Sequence, residues 1–274
     1  MSTVVALAQR EISDALKNRW FIVYSGAFVV LSVALAMMVV NSAGYAGISG
    51  FGRTSAGLIN LVLFLAPLMG LTLGAQAIAS EREQGTLSYL LAQPISMLEL
   101  FVAKFTGLAL AIGAAIVFGF ALSTLTITYL SGGEGIDVFL RLTVLTVLLA
   151  WVSLALGYLI SSFSRRTSTA LGVAIVVWLL LVLIGNLGLM GTSVVLDIDP
   201  DTLLALTLIN PLEVFRIAAI TLLRDSMELL GPSGLVARKW FGDSATIVLT
   251  GILVIWLAVT LVLAYWVTKR EEQR

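Results

Sequence analysis

The densest group of chemically active side chains lies in a short polar interval, residues 80–96. It contains a charged triplet, a glycine, a hydroxyl and three leucines: Glu81, Arg82, Glu83, Gly85, Thr86, Leu87, Leu90 and Leu91. Glycine readily adopts conformations that end a helix, and Thr86 can cap a new helix that holds the leucines. A short apolar helix flanked by charge is suited to docking on a partner protein. The alternative is an ordinary solvated loop, but such a loop would not need three leucines.

The same interval ends in helix signals. Pro94 interrupts the short helix, and Ser96-Met97-Leu98-Glu99 forms a capping box. In this motif a serine and a glutamate three positions later satisfy each other's backbone N–H groups. The sequence therefore predicts that a long helix starts here.

A second polar group lies in a long segment, residues 191–243. Asp199-Pro200 and Asn210-Pro211 each join a capping side chain to a proline, and Glu213 follows the second pair. This pattern predicts two short helices that rest on, or dip into, the outer leaflet of a membrane. Six polar residues of this segment are candidates for contact with another protein: Asp199, Asp201, Asn210, Glu213, Arg216 and Arg224.

Residue types exclude several kinds of catalysis. The chain has no Cys and no His, which excludes a thiol nucleophile, a Ser-His-Asp triad and metal centres that depend on these ligands. None of its lysines, Lys17, Lys104, Lys239 and Lys269, follows a glycine, so the nucleotide-binding P-loop is absent. We therefore predict a non-catalytic chain without a metal site or a cofactor of its own.

The elements that position these groups are membrane helices. The chain of 274 residues is 59% hydrophobic and 12% charged, whereas soluble domains carry about 25% charged residues. Its net charge is zero, which argues against a nucleic-acid partner. Six uncharged stretches reach the roughly 20 residues that a membrane span requires. They are approximately Phe21–Val40, Leu58–Ala79, Phe105–Leu130, Leu142–Phe163, Thr169–Met190 and Ser244–Val267. The predicted fold class is an all-α polytopic membrane protein.

Residues 1–20 form an amphipathic segment before the six-helix domain of residues 21–274. Its apolar residues recur at helical spacing: Val5, Ala8, Ile12, Ala15 and Leu16. This stripe predicts a helix lying on the inner membrane surface. Most Lys and Arg residues fall on the inside if the N-terminus is cytoplasmic. We therefore predict two cytoplasmic termini, a cytoplasmic interval 80–96 and a periplasmic segment 191–243.

The predicted spans contain no Asp, Glu, Lys or Arg. Ion-coupled transporters place such groups at mid-membrane, so their absence argues against a self-powered transporter. The spans contain three uncharged amide side chains: Asn60, Gln76 and Asn186. These side chains either form the polar lining of a path or, in the interpretation that we prefer, form interhelical hydrogen bonds. Pro67 is either a hinge or a tolerated proline. Small residues predict close helix contacts at Gly70, Gly74, Ala111, Ala115 and Gly119.

The polar interval resembles a known family. Its run Glu-Arg-Glu-x-Gly-Thr-Leu, then Leu-Leu, Pro-Ile-Ser and a lysine at the third span, resembles the coupling-helix region of ABC-2 type transporter permeases. The likeness extends over the whole chain. The stretches from Phe51 to Pro94 and from Asn210 to Arg216 resemble the branch that serves nitrous oxide reductase maturation.

The resemblance implies a homodimeric permease of the bacterial inner membrane with a type V exporter-like fold. It implies two ABC ATPase subunits inside, which bind ATP and magnesium, and a periplasmic protein outside. It further implies a role in assembling the copper sites of nitrous oxide reductase. Copper sites favour Cys, His or clustered Met, and the seven methionines are scattered, so copper handling is expected in the partners. The residues leave open whether a sulfur species is transported or only mechanical work is transmitted.

Three alternatives compete with this interpretation. The first, within the same class, is an ABC-2 exporter of a lipid, drug or polysaccharide. The second is an intramembrane enzyme or acyltransferase, which the shortage of bases and nucleophiles disfavours. The third is a passive channel, which conductance of the isolated chain would reveal.

Overall fold

The structure is a computed structural model that describes residues 3–46, 48–86, 96–131, 136–195, 205, 207–222 and 244–272. Across these residues it contains eight α-helices and no β-strand. The helices are α1 (Thr3–Lys17), α2 (Arg19–Ala46), α3 (Ile48–Gln84), α4 (Met97–Ser131), α5 (Ile136–Phe163), α6 (Thr167–Val195), α7 (Pro211–Leu222) and α8 (Ala245–Glu272). In this part of the chain six helices, α2 to α6 and α8, are long and apolar enough to cross a membrane. The predicted all-α fold with six spans is confirmed.

The membrane helices extend beyond the uncharged stretches. The membrane span in α3 runs from Gly57 to Gln84, and the membrane span in α4 starts at Met97. The capping box at the start of α4 forms as predicted, because Glu99 Oε2 accepts hydrogen bonds from Ser96 N at 2.9 Å and Ser96 Oγ at 2.7 Å. The end of α3 and the start of α4 therefore carry ionisable residues that lie outside the predicted spans.

Helix α3 is the central helix of the bundle. In its apolar window 78% of the residues are buried, against 22% in each of α2, α6 and α8. Its main neighbour is α5, which approaches so closely that a Cβ added to Gly70 would lie 2.6 Å from Ala150 O. A Cβ on Gly157 of α5 would lie 2.6 Å from Leu71 O. The close contact predicted at Gly70 and Gly74 therefore joins α3 to α5.

The other spans pack around this central pair. Helix α2 contacts α3 and α4, and Gly119 of α4 leaves room for the Phe28 ring, as predicted for this small residue. Helix α6 packs mainly on α3, while α8 packs on α5 and α7. Three indole N–H groups link neighbouring elements by donating to backbone oxygens: Trp151 to Ala109, Trp178 to Phe64 and Trp256 to Leu208.

The two shorter helices are integrated into this bundle. Helix α1 packs along the first turns of α4, where a Cβ on Gly107 would lie 2.7 Å from Ala8 O. The predicted apolar stripe of α1 is only partly buried in the bundle: Ala15 is buried, whereas Val5 and Leu16 are 42% and 58% exposed. Helix α7 is more deeply enclosed, with eight of its twelve residues buried among α8, α5, α3 and α6.

Candidate functional site

The charged triplet lies in the last turn of α3, and Gly85 follows the end of this helix. This glycine has a φ of 72°, and its N–H donates to Arg82 O at 3.2 Å. A positive φ is accessible to glycine at little cost, so the predicted helix stop is confirmed. The Thr86 hydroxyl donates back to Glu81 O at 3.3 Å. The predicted docking helix with Leu87, Leu90 and Leu91 lies outside the described residues.

Glu81 belongs to a buried cluster that joins three helices. Lys104 of α4 lies 2.9 Å from Glu81 Oε1 of α3 and 2.6 Å from Glu11 Oε1 of α1. The side chain of Lys104 is 6% exposed, and those of Glu81 and Glu11 are 14% and 15% exposed. We call Glu11, Glu81 and Lys104 the Lys104 cluster.

The Lys104 cluster has one cation for two carboxylates. Burial raises the pKa of Glu11 above its ordinary value, and Lys104 opposes this shift. Glu81 Oε2 and the Tyr158 hydroxyl are buried without a hydrogen-bond partner among the described residues. The tyrosine is wholly buried against the rings of Phe101 and Phe105. Such a cluster is costly to break, because a lost partner leaves an uncompensated buried charge.

Arg82 and Glu83 hold the turn between α5 and α6. Arg82 Nη1 donates to Ser162 O at 3.1 Å and to Ser164 O at 2.9 Å. Glu83 Oε2 accepts the backbone N–H of Thr167, the first residue of α6, at 2.9 Å. The carboxylate therefore caps a helix that is distant in sequence, where the positive end of the helix dipole favours it.

The end of α3 is also fastened to α5 directly. Ser161 Oγ accepts hydrogen bonds from Ile78 N at 3.0 Å and Ala79 N at 2.8 Å. Together with the bonds of the charged triplet, this contact ties the last two turns of α3 to α1, α4, α5 and α6. Sequence reasoning proposed the triplet for docking and did not foresee these internal contacts. The spacing of Ala8, Glu11 and Ala15, which places them on one helical face, was an available signal for Glu11.

The second polar group occupies the start of α7. Asn210 Oδ1 accepts Leu212 N at 3.0 Å, and Pro211 is the first helical residue, so the predicted helix start is confirmed. Asn210 Nδ2 also donates to Leu181 O of α6 at 2.8 Å. Asp199, Asp201 and Arg224 lie outside the described residues.

Glu213 and Arg216 form an ion pair within α7, which we call the α7 pair. Glu213 Oε1 lies 2.9 Å from Arg216 Nη1, and the side chains are 3% and 22% exposed. Burial raises the pKa of Glu213, with Arg216 opposing the shift. Glu213 packs against α6 at Gly185, where an added Cβ would overlap its carboxylate. Asn210 and Glu213 are thus buried within the chain, and their contact with a periplasmic partner stays a prediction.

A cavity of about 300 Å³ opens beside the α7 pair. Its lining consists of Asn60, Leu63, Phe64, Val182, Leu212, Glu213 and Arg216. Asn60 therefore lines a cavity. Gln76 departs from the preferred prediction, because its amide donates to Thr72 O within α3 at 3.0 Å rather than to another helix. The side chain of Asn186 lies outside the described residues.

The two charged sites lie at opposite ends of the bundle. An α-helix rises 1.5 Å per residue, so Asn60 beside the α7 pair and Glu81 lie about 30 Å apart along α3. This distance is close to the thickness of the hydrocarbon layer. Within the described residues no group of three or more carboxylates is arranged to hold a metal ion.

Comparison with known proteins identifies the class to which this architecture belongs. The model of the ABC-2 family transporter protein matches residues 5–273, and the chain belongs to this family of ABC transporter membrane permeases. It is 33% identical over 277 residues, covering 99% of both chains, to a probable ABC transporter permease protein NosY of Stutzerimonas stutzeri. It is 34% identical over 223 residues, covering 79% of this chain and 81% of the relative, to a probable ABC transporter permease protein NosY of Pseudomonas aeruginosa.

Proposed function

We propose that this chain is the non-catalytic permease subunit of an ABC transporter whose separate ATPase subunits grip residues 80–96. ATP-driven closure of two such subunits would pull on this segment in each copy of a permease homodimer. Packed helices respond to such a pull by shifting between discrete arrangements. ATP can bias the equilibrium only because the docked ATPases bind it differently in the two states.

The observation that carries this proposal is the fastening of α3 immediately before residues 87–91, which we call the docking segment. The last two turns of α3 are bonded to α1 and α4 through the Lys104 cluster, to α5 through Ser161 and Arg82, and to α6 through Glu83. A displacement of residues 85–91 would therefore reach several helices at once. A loop bonded only to its own two spans would instead absorb the displacement locally.

The contacts also divide the predicted docking residues into two groups. Glu81 is turned inward to Lys104, and Arg82 to the α5–α6 turn, so we assign them to transmission. Gly85 and Thr86 are exposed, and with Leu87, Leu90 and Leu91 we assign them to the ATPase groove. Glu83 is exposed and caps α6, which suits a residue at the border between the two groups.

The similarity to NosY permeases supports a more specific role. We propose a NosF-like ATPase, present in two copies, on the cytoplasmic side and a NosD-like protein on the periplasmic side, contacted by the segment that includes Asp199, Asp201 and Arg224. The complex would lie in the bacterial inner membrane, with both termini of this chain in the cytoplasm, and would serve copper-site assembly of nitrous oxide reductase. The chain itself would hold no cofactor, because ATP and magnesium belong to the ATPase.

A single-cysteine experiment tests the docking and the orientation together. The natural chain has no cysteine, so Thr86→Cys provides a unique exposed thiol beside the docking segment. We expect it to form a cross-link with a cysteine placed in the groove of the ATPase and to resist a membrane-impermeant thiol reagent added outside intact cells. Tyr129→Cys, which is 89% exposed near the other end of α4, is the matched control and should react with that reagent. Reversed labelling of the two sites would contradict the proposal.

A second experiment tests the coupling. Gly85→Val forces a β-branched residue into a positive φ, which should misdirect the docking segment. We expect permease-stimulated ATP hydrolysis in the reconstituted complex to fall about tenfold, the factor that about 1.4 kcal/mol produces. Gly26→Val, at a site in α2 with open space around the added atoms, is the control and should leave stimulation unchanged. Full stimulation in Gly85→Val, or ATP turnover or conductance by the purified chain alone, would count against the proposal.

Reversing the charge of Glu81 is a less specific test of docking. Its carboxylate contacts Lys104 inside the bundle, so Glu81→Lys would place two cations together and disturb folding. Glu83→Lys is preferable because Glu83 is exposed.

A further inference from the structure

Another cavity, of about 630 Å³, lies where the end of α5 meets the start of α6. Its polar lining includes two neighbouring arginines, Arg165 and Arg166, and Thr169. All three residues are exposed, and none of the described residues that line the cavity is a carboxylate. Ligand sites commonly have volumes of about 300–1,000 Å³. The cavity is therefore a reachable site of suitable size with an excess of positive charge.

The two arginines of this cavity are available to a ligand. Neither side chain forms a salt bridge or a hydrogen bond with another described residue. Glu83 acts electrostatically on Arg166, but Glu83 Oε2 already accepts the backbone N–H of Thr167. Each guanidinium is a planar group with five N–H donors and no acceptor. The site therefore offers many donors to an anion and has no cation-binding oxygen of its own to repel it.

The backbone beneath the arginines is held in place. Arg82 Nη1 donates to Ser164 O at 2.9 Å, just before Arg165, and Arg166 O accepts the N–H of Ala170 at 3.1 Å in the first turn of α6. A binding site whose backbone is already fixed orders a ligand at lower entropic cost. The turn between α5 and α6 thus presents its two free side chains from a fixed position.

The remaining wall of the cavity is apolar and continues along α6. Phe163 and Val173 line the cavity and are 67% and 43% exposed. Val176 and Leu180 follow Val173 on the same helical face and are also exposed. From Thr169 to Leu180 this face extends about 16 Å, close to half of the roughly 30 Å hydrocarbon layer. A ligand with its polar group in the cavity can thus lay a hydrocarbon chain along α6 within one leaflet.

We propose that this cavity binds an anionic phospholipid, with its phosphate on the guanidinium groups of Arg165 and Arg166 and its acyl chains along α6. The fork of donors on a guanidinium matches the oxygens of a phosphate, and basic pockets at the membrane surface bind anionic headgroups. A zwitterionic lipid fits less well because its ammonium would add a third cation to the site. A soluble phosphate fits less well because it leaves the apolar wall uncovered.

A protein partner is less well matched to the whole surface than a lipid. A soluble subunit could reach the arginines, but Val173, Val176 and Leu180 belong to a membrane span that runs from Thr167 to Gly185. The inference depends on the fold and not on the ATPase coupling proposed above, so it remains testable if the docking experiments fail. With the orientation proposed above, the lipid would lie in the inner leaflet.

The test measures which lipid stays bound to the permease complex. The complex is reconstituted in nanodiscs of phosphatidylcholine that contain equal small amounts of phosphatidylglycerol and phosphatidylethanolamine, and bound lipids are counted by native mass spectrometry after transfer to detergent. We expect phosphatidylglycerol to be enriched over phosphatidylethanolamine by about tenfold or more, the ratio that one charge-assisted hydrogen bond can supply.

Removing the positive charges connects the enrichment to the cavity. Arg165→Gln combined with Arg166→Gln changes two exposed positions, so the double variant should fold normally and lose most of the enrichment. Arg19→Gln is the matched control, because Arg19 is an exposed arginine at the start of α2 and does not line the cavity. We expect this control to retain the enrichment.

Adding a negative charge tests the same site from the other direction. Thr169→Glu places a carboxylate in the cavity on the first turn of α6, where the helix dipole stabilises an acidic side chain. We expect this variant to keep its fold and to lose most of the enrichment, because its carboxylate repels the phosphate. Thr169→Gln has nearly the same shape without the charge and should retain the enrichment. Melting temperatures measured on the same samples identify any variant that has lost its fold.

Three outcomes would overturn the proposal. The first is equal retention of phosphatidylglycerol and phosphatidylethanolamine by the natural chain, or enrichment that survives both the double variant and Thr169→Glu. The second is displacement of the bound lipid by excess soluble glycerol 3-phosphate, which would assign the site to a soluble phosphate ester. The third is loss of a protein subunit from the double variant with unchanged lipid retention, which would assign the arginines to a protein interface.

Discussion

The Lys104 cluster and the α7 pair are both buried combinations of carboxylate and cation, but they are built differently. In the Lys104 cluster the partners come from three helices, and the bonded residues lie 93 and 23 positions apart in the sequence. In the α7 pair both partners lie three residues apart on one helix. The Lys104 cluster therefore joins three helices to one another. The α7 pair does not join α7 to another helix, so other contacts must hold α7 in the bundle.

Those other contacts are identifiable. Helix α7 is held by the bond from Asn210 to Leu181 O, by the bond from Trp256 to Leu208 O, and by burial of its apolar residues. Helix α1 has fewer buried residues and approaches α4 at Gly107 and Lys104. The comparison indicates that similar charges join three helices at one end of the bundle and lie within a single helix at the other.

The largest expected effect is that of Lys104→Met. It leaves two buried carboxylates without their cation, and breaking such a buried pair typically costs about 3–5 kcal/mol. We expect a loss of this order in the unfolding free energy of the purified permease, with α1 becoming sensitive to protease. Lys17→Met, at an exposed position near the end of α1, is the control. A loss below about 1 kcal/mol, the value of a surface pair, would mean that the cluster does not hold α1.

A matched pair of alanine substitutions compares the two helix contacts. A Cβ on Gly107 would meet the backbone oxygen of Ala8, so the whole of α1 must move. A Cβ on Gly185 would meet the carboxylate of Glu213, the end of a flexible side chain. We expect Gly107→Ala to cost about 1–3 kcal/mol, as overpacking does, and Gly185→Ala less, measured by thermal unfolding in detergent. The reverse order would contradict this ranking of the two contacts.

The smallest expected effect is a pH dependence. Burial raises the pKa of Glu11 and of Glu213 in the folded chain above the ordinary value of 4.5. Each group therefore contributes stability that is fully present below that value and is lost as the pH rises through its folded pKa. Relative to Glu11→Gln or Glu213→Gln, the natural chain should become less stable as the pH rises.

Paired unfolding measurements across about pH 4 to 8 test this expectation. The two variants should differ in a second readout: only Glu11→Gln should alter protease protection of α1. An opposite slope in either comparison would mean that the partner cation outweighs burial at that carboxylate.

Sequence reasoning found the local features and the close contacts at Gly70, Gly74 and Gly119, and missed the partners of the charged residues. Gly85, the capping box at Ser96 and the Asn210 cap were predictable, because each depends on residues within a few positions of one another. The bond between Lys104 and Glu11 was not, because neither position reveals which helices will be neighbours. The inward orientation of Glu81 was missed for the same reason.

The amino-acid sequence alone determined the helical class and the number of spans, because the backbone of a lipid-exposed segment must satisfy its own hydrogen bonds and the length of an apolar run sets whether it crosses. Only the tertiary structure decided which charges met. Packing of α1 on α4 enclosed one set of carboxylates around a lysine, and burial of α7 placed Glu213 beside a cavity. Which charges meet depends on which helix faces fit together. Because an unpaired buried charge is costly, only packing arrangements that bring these partners together are stable.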